Sequence, residues 1–200
     1  MSDKKRPYRM TRRAELEERT RQRITESAVK LHGTIGPART SISALAEHAG
    51  VRRSTVYRHF PDEAALFAAC SSHWRAANPV PDLARWVAVE DVDERLMRAL
   101  KELYAHYRRN ERMLTNILRD EAAVPILTTT LAGYRNYLIR AQDTLMIGRS
   151  DAESNRKVRA AIGHALAFHP WRSLAIDQGL ENIEVADLMC LLVAGATAKR

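Results

Sequence analysis

Apolar residues recur along the chain mostly at steps of three and four, the period of helices that bury one face. Leu16, Thr20, Ile24, Ala28 and Leu31 form the first such row, and Glu15, Arg19, Arg23 and Glu26 fall off it. Gly33, Gly36 and Pro37 predict its end. A short helix is expected over residues 41–49, with Ser41 as N-cap and Ile42, Leu45, Ala46 and Ala49 turned inward. Gly50 interrupts the pattern. A second short helix is expected over 53–59, held from behind by Val51, Val56 and Phe60. The stretch "FPDEAALFAAC" then reopens a helix that Asp62 can cap, with Glu63 at the positive end of its dipole.

Beyond "ANPVPD" (residues 77–82) the periodic segments lengthen. Leu96, Leu100, Leu103 and Tyr107 make one stripe, and Leu127, Leu131, Tyr134, Leu138, Ala141 and Leu145 a longer one. Two further helices are expected, over 155–179 and 182–198, the last apolar on nearly every side. Pro170 lies inside the first of these and is expected to kink or break it, because proline lacks an N–H and its ring collides with the preceding turn. No segment alternates with the period of a strand. The pattern predicts an all-α fold of about nine helices: a basic arm at 1–13, a helix-turn-helix domain at 14–60 and a larger helical domain at 61–200.

Charge sharpens that division. Residues 1–60 hold 14 Lys and Arg against 6 Asp and Glu, and the remainder of the chain is balanced, so the net +8 sits in the first third. A concentrated excess reads as a footprint for a polyanion. Much of it belongs to "KKRPYRMTRR" (4–13), which would either reach into a minor groove or remain a solvated tail. Cys70 and Cys190 are far apart and suggest no disulfide framework. No secretory signal is expected, and the longest apolar run, within 188–198, is too short to span a bilayer. A cytoplasmic location without membrane association follows as the expectation.

The stretch "GVRRSTVYRHF" (50–60) places Arg52, Arg53, Ser54, Thr55, Tyr57, Arg58 and His59 on or near the outer side of the second short helix. In a helix-turn-helix that helix enters the major groove. Arginine can bond both acceptors of guanine at once, while hydroxyl and imidazole groups reach phosphates and fix register. The segment 40–70, "TSISALAEHAGVRRSTVYRHFPDEAALFAAC", resembles the N-terminal domain of the TetR family of transcriptional regulators. The resemblance rests on the hydroxyl of Ser41, on "LAEHAGV" (45–51), on "TVYRHF" (55–60) and on Leu66-Phe67.

That resemblance implies a homodimer reading a palindromic double-stranded DNA operator. It implies an unidentified small-molecule effector bound in the C-terminal domain and dimerisation through the last two helices. It makes Arg52, Arg53, Ser54 and Tyr57 the expected base readers, and Thr40, Ser41, Thr55, Arg58 and His59 the expected phosphate contacts. Arg52 stands where the family often has serine, and Glu63 where it often has lysine, so no phosphate contact is expected at Glu63. A repressor released by its ligand is the main expectation. A helical small-molecule-binding protein that reads no sequence is the alternative.

Trp74, Tyr104, Tyr107, Met113, Tyr134, Tyr137, Phe168 and Trp171 are candidate pocket residues, since ligand sites are mostly apolar with a few polar groups; each could equally be core. Cys70 and His73 lie three apart, but two ligands do not make a metal site. With no phosphate loop and no hydrolase or metalloprotease motif in the chain, no enzyme, metal or cofactor is expected. The apolar last helix and Val158, Ile162, Ala165, Leu166 and Leu174 before it ask for a symmetry mate to cover them.

Overall fold

In a computed structural model, residues 5–149 and 155–197 are described, and every regular element among them is helical. The α-helices are α1 (Lys5–Thr34), α2 (Ile42–His48), α3 (Arg53–His59), α4 (Glu63–Ala77), α5 (Leu83–Val87), α6 (Val92–Asp120), α7 (Ile126–Met146), α8 (Asn155–Leu166), α9 (Phe168–Arg172) and α10 (Asn182–Thr197). A 3-10 turn at Pro37–Arg39 follows α1, and a π-helical turn at Ser173–Asp177 follows α9. α1 starts at Lys5, so most of the basic stretch expected as an arm is the first part of a helix, while Lys4 lies outside the described residues. Leu16 is 55% exposed, so burial of the first apolar row sets in at Ile24.

The chain forms two compact units. The first comprises Met1–Ala77 with Thr115–Thr130, and the second Asn78–Leu114 with Leu131–Arg200. In the first, Ile24 and Ala28 of α1 meet Leu45, Ala46, Ala49, Val56, Phe60, Leu66 and Cys70 in one apolar cluster. Burial there pushes the Cys70 thiol up to about 12, which makes it an inert core residue. The turn after α1 is clamped by the end of α6: Asn116 donates to the His32 carbonyl at 3.0 Å, and Asp120 accepts the N–H of Ala38 at 3.0 Å. Gly36 has φ +91°, and a Cβ there would collide with Arg119 and Asp120, so glycine is required on both counts.

In the second unit, Leu96, Leu100, Leu103 and Tyr107 of α6 are buried as their spacing predicts, as are Ala141 and Leu145 of α7. Pro170 breaks its helix, but three residues upstream: α8 ends at Leu166, Ala167 is extended, and Pro170 is the third residue of α9. In that first turn the missing N–H costs nothing, and the clash with the Leu166 carbonyl is relieved. Two tyrosines of α6 satisfy the carbonyls at the break. Tyr104 donates to Ala165 at 2.8 Å and Tyr107 to Leu166 at 2.6 Å. α5 follows the Pro79–Pro81 stretch; Asp82 caps it, and Trp86 is buried with its N–H on Glu102.

Candidate nucleic-acid interface

Ser41 starts α2 by accepting the Ala44 N–H at 3.1 Å, and the residue is exposed. Gly50 takes φ +63° with open space around it, so the constraint there is backbone conformation and not room. The N–H of Val51 closes the turn on the Ala46 carbonyl at 2.9 Å. α3 then starts without a side-chain cap, since Arg52 occupies the N-cap position. Val56 at 0% and Phe60 at 2% exposure pin its inner side. Arg52, Arg53, Ser54, Tyr57 and Arg58 are all exposed, and Thr55 is half-buried. Three guanidinium groups, two hydroxyls and the turn of α2 thus share one surface, where donors can meet the acceptors of a groove and its phosphates.

Two expected phosphate contacts differ from the rest. The Thr40 hydroxyl donates to the Gly36 carbonyl at 2.8 Å, so its single proton is already engaged. His59 is half-buried, and its Nε2 is buried without a hydrogen-bond partner. Desolvation, then Arg58 and Arg21, push its pKa below the ordinary 6.5, against the pull of Glu17 and Glu18. At neutral pH it is an uncharged ring and no counter-ion for a phosphate.

One residue that sequence reasoning counted only as charge also takes part. Arg21 of α1 donates from Nη1 to the His59 carbonyl at 2.7 Å, and its guanidinium carbon lies 4.3 Å from the centroid of the Phe60 ring. The pair is 38 residues apart, so no local pattern could announce it.

Residues 24–70, which span this whole arrangement from the buried start of α1 to Cys70, match the family profile of bacterial regulatory proteins, tetR family. The chain carries the tetR-family domain. Solved structures of similar architecture cover nearly all of it. A TetR-like transcriptional regulator from Rhodococcus sp. RHA1 is 20% identical, with a TM-score of 0.64 over 90% of this chain and 97% of that one. A protein of Mesorhizobium loti MAFF303099 assigned to the tetR family of transcriptional regulators is 16% identical, with a TM-score of 0.62 over 90% and 96%. A Clostridium perfringens protein assigned as a fatty acid metabolism regulator is 15% identical, with a TM-score of 0.61 over 89% and 100%. At these identities the likeness is one of fold. No curated protein matches the chain by sequence.

The eight candidate pocket residues fall into different surroundings. Tyr104, Tyr107, Phe168 and Trp171 are buried together, with Phe168 and Trp171 each 5.5 Å or less from the Tyr107 ring centroid. Their polar tips are engaged: beyond the two carbonyl bonds, the Tyr107 and Tyr134 hydroxyls pair at 3.0 Å, and Trp171 donates to Asn182 at 3.1 Å. Burial raises the Tyr104 and Tyr107 pKa values well above the ordinary range and pushes Tyr134 up to about 12. Tyr137 is half-buried and donates to the Pro81 carbonyl, and Met113 is half-buried. Trp74, also half-buried, stands on α4 in the first unit. Among the described residues no group of three or more His, Cys, Asp or Glu could hold a metal ion, and no helix is long and apolar enough to cross a membrane.

Proposed function

We propose that this tetR-family protein is a DNA-binding transcriptional regulator that responds to a small molecule, acting as a repressor that leaves its operator when the effector binds. The observation that carries the reading is the row of exposed donors on α3, backed by the wholly buried Val56 and Phe60, within a matched family domain. Arg52, Arg53, Ser54 and Tyr57 would read base edges, and Ser41, Thr55 and Arg58 would bind phosphates. Thr40 and His59 would join the phosphate row only after turning out of their present environments.

A homodimer through α8 and α10 is supported by Ile183, Leu188, Leu191 and Leu192, which remain 43%, 48%, 72% and 45% exposed on α10. Two-fold symmetry would give a palindromic operator with half-sites at least one helical turn, about 34 Å, apart. The effector would bind in the second unit near its aromatic residues. It would act by preferring the conformation whose recognition helices are wrongly spaced, and the loss of DNA affinity equals that preference.

Selection from a random-sequence DNA library at fixed, near-physiological salt tests the reading. An enriched palindrome is expected. Salt-sensitive bulk binding with no enrichment, with and without a library of candidate effectors, would sink it.

A further inference from the structure

The helix that carries the donors is short of support. α3 has seven residues, a length at which a helix in water does not hold by itself. Its N-terminal end has no side-chain cap. Its C-terminal end is closed by the Phe60 N–H on the Val56 carbonyl at 2.8 Å, which leaves the His59 carbonyl beyond the last turn. Arg21 takes that carbonyl at 2.7 Å and lays its guanidinium over the Phe60 ring at 4.3 Å. A cation belongs at this end of a helix dipole, and a planar guanidinium is suited to donate in its plane while stacking on a ring. Arg21 is itself well anchored, one helical turn before Ile24, which is 0% exposed in the core.

We propose that Arg21 is the positioning residue of the recognition helix: it fixes the C-terminal end of α3 to α1 and leaves the end bearing Arg52, Arg53 and Ser54 free to fit the groove. The proposal rests on the DNA-binding reading above. It assigns Arg21 no contact with DNA. Its effect therefore falls on sequence discrimination, which needs α3 at one angle, and not on the general attraction of a basic domain for phosphates.

Two variants separate these roles. Arg21→Lys keeps the charge and loses the planar fork, and Arg21→Met loses both. In the full chain, both should speed hydrogen exchange of the α3 amides roughly tenfold, leaving α4 and α6 unchanged. Both should weaken binding to the selected site roughly tenfold, with binding to random DNA and the salt slope unchanged. A phosphate contact predicts otherwise: Arg21→Lys would retain affinity, while Arg21→Met would weaken both DNAs and reduce the salt slope by about 0.9. That result, or unchanged exchange in α3, overturns the proposal. A wild-type protein that enriches no site defeats the DNA reading separately, and the exchange rates still decide whether Arg21 holds α3.

Discussion

Helix α3 and the aromatic layer of the second unit are built from the same kinds of group, in opposite states. On α3, Tyr57 is 49% exposed, and Arg53 and Arg58 are exposed on the same helix, as is Arg52 at its N-cap. In the second unit Tyr104 and Tyr107 are 0% exposed, and each hydroxyl donates to a carbonyl at the α8–α9 break. A tyrosine in the sequence is a donor in either place. What separates a binding surface from a structural layer is whether the donor's proton has already found its acceptor. Exposed donors cost little to remove and matter to a partner. Buried, satisfied donors matter to the fold, because removing one leaves its acceptor stranded.

Stability measurements can break that contrast most sharply. Trp171→Ala should cost about 3–5 kcal/mol in urea denaturation, since a wholly buried ring is lost and Asn182 loses its donor. Arg53→Ala, on the exposed side of α3, should stay within about 0.5 kcal/mol. A Trp171→Ala loss below about 1 kcal/mol would mean that the layer is loosely packed, and would make it a ready pocket instead of a core.

The first unit has a buried polar group of its own, and pH exposes it. His32 is 4% exposed, stacks on Phe67 with ring centroids 5.0 Å apart, and has its pKa lowered from 6.5 to about 4 by burial, against the pull of Asp120. The unfolded chain therefore binds a proton that the folded chain refuses between pH 6.5 and about 4. Stability should be full above that window and fall as pH drops through it, by about 3 kcal/mol. His59 and His106, also lowered, act in the same direction, so the test is a difference. His32→Phe keeps the stack and should flatten much of the fall in denaturation midpoint. Asp120 lies below 3.8 and contributes only at lower pH. An unaltered pH profile in His32→Phe would show that His32 takes up its proton in place.

The contrast also marks what the sequence could tell. Local chemistry was legible: Ser41 and Asp62 accept the N–H groups of Ala44 and Ala65, and Gly50 supplies a positive φ between two short helices. Spacing alone placed Val56 and Phe60 inside and the arginines of α3 outside. Long-range engagement was not legible. Nothing near Tyr107 says that its hydroxyl meets a carbonyl 59 residues away, and nothing near Arg21 points to His59. The break was expected at Pro170 but falls at Ala167, because the steric conflict of proline lies with the carbonyl four residues before it. The α1 row includes Leu16 by period, yet period does not say where packing partners begin.

Within the interface, the two arginine roles should separate by DNA and not by stability. Arg53→Ala should weaken the selected site by about 1–3 kcal/mol relative to random DNA, as the loss of a bidentate base contact does. Arg58→Ala should weaken both about equally and reduce the salt slope by about 0.9. Equal behaviour of the two variants in competition binding would remove the distinction between base readers and phosphate contacts on α3.

The smallest expected effect sharpens the comparison furthest, because it places both states on neighbouring residues. Thr40 and Ser41 both carry hydroxyls at the start of α2, but Thr40 donates its proton to Gly36, while Ser41 accepts from Ala44 and keeps its proton. Thr40→Val preserves shape and removes only the engaged hydroxyl. It should change affinity for the selected site by less than about twofold, with a stability loss of about 1 kcal/mol or less, since the Gly36 carbonyl loses its bond from Thr40 but keeps the Arg39 N–H at 3.3 Å. Ser41→Asn keeps an N-cap acceptor but displaces the hydroxyl, and should weaken both selected and random DNA without a matching loss of stability. If Thr40→Val instead costs tenfold in DNA affinity at unchanged stability, its hydroxyl leaves Gly36 for a phosphate on binding. Proton engagement in the free protein would then be no guide to what a groove can recruit.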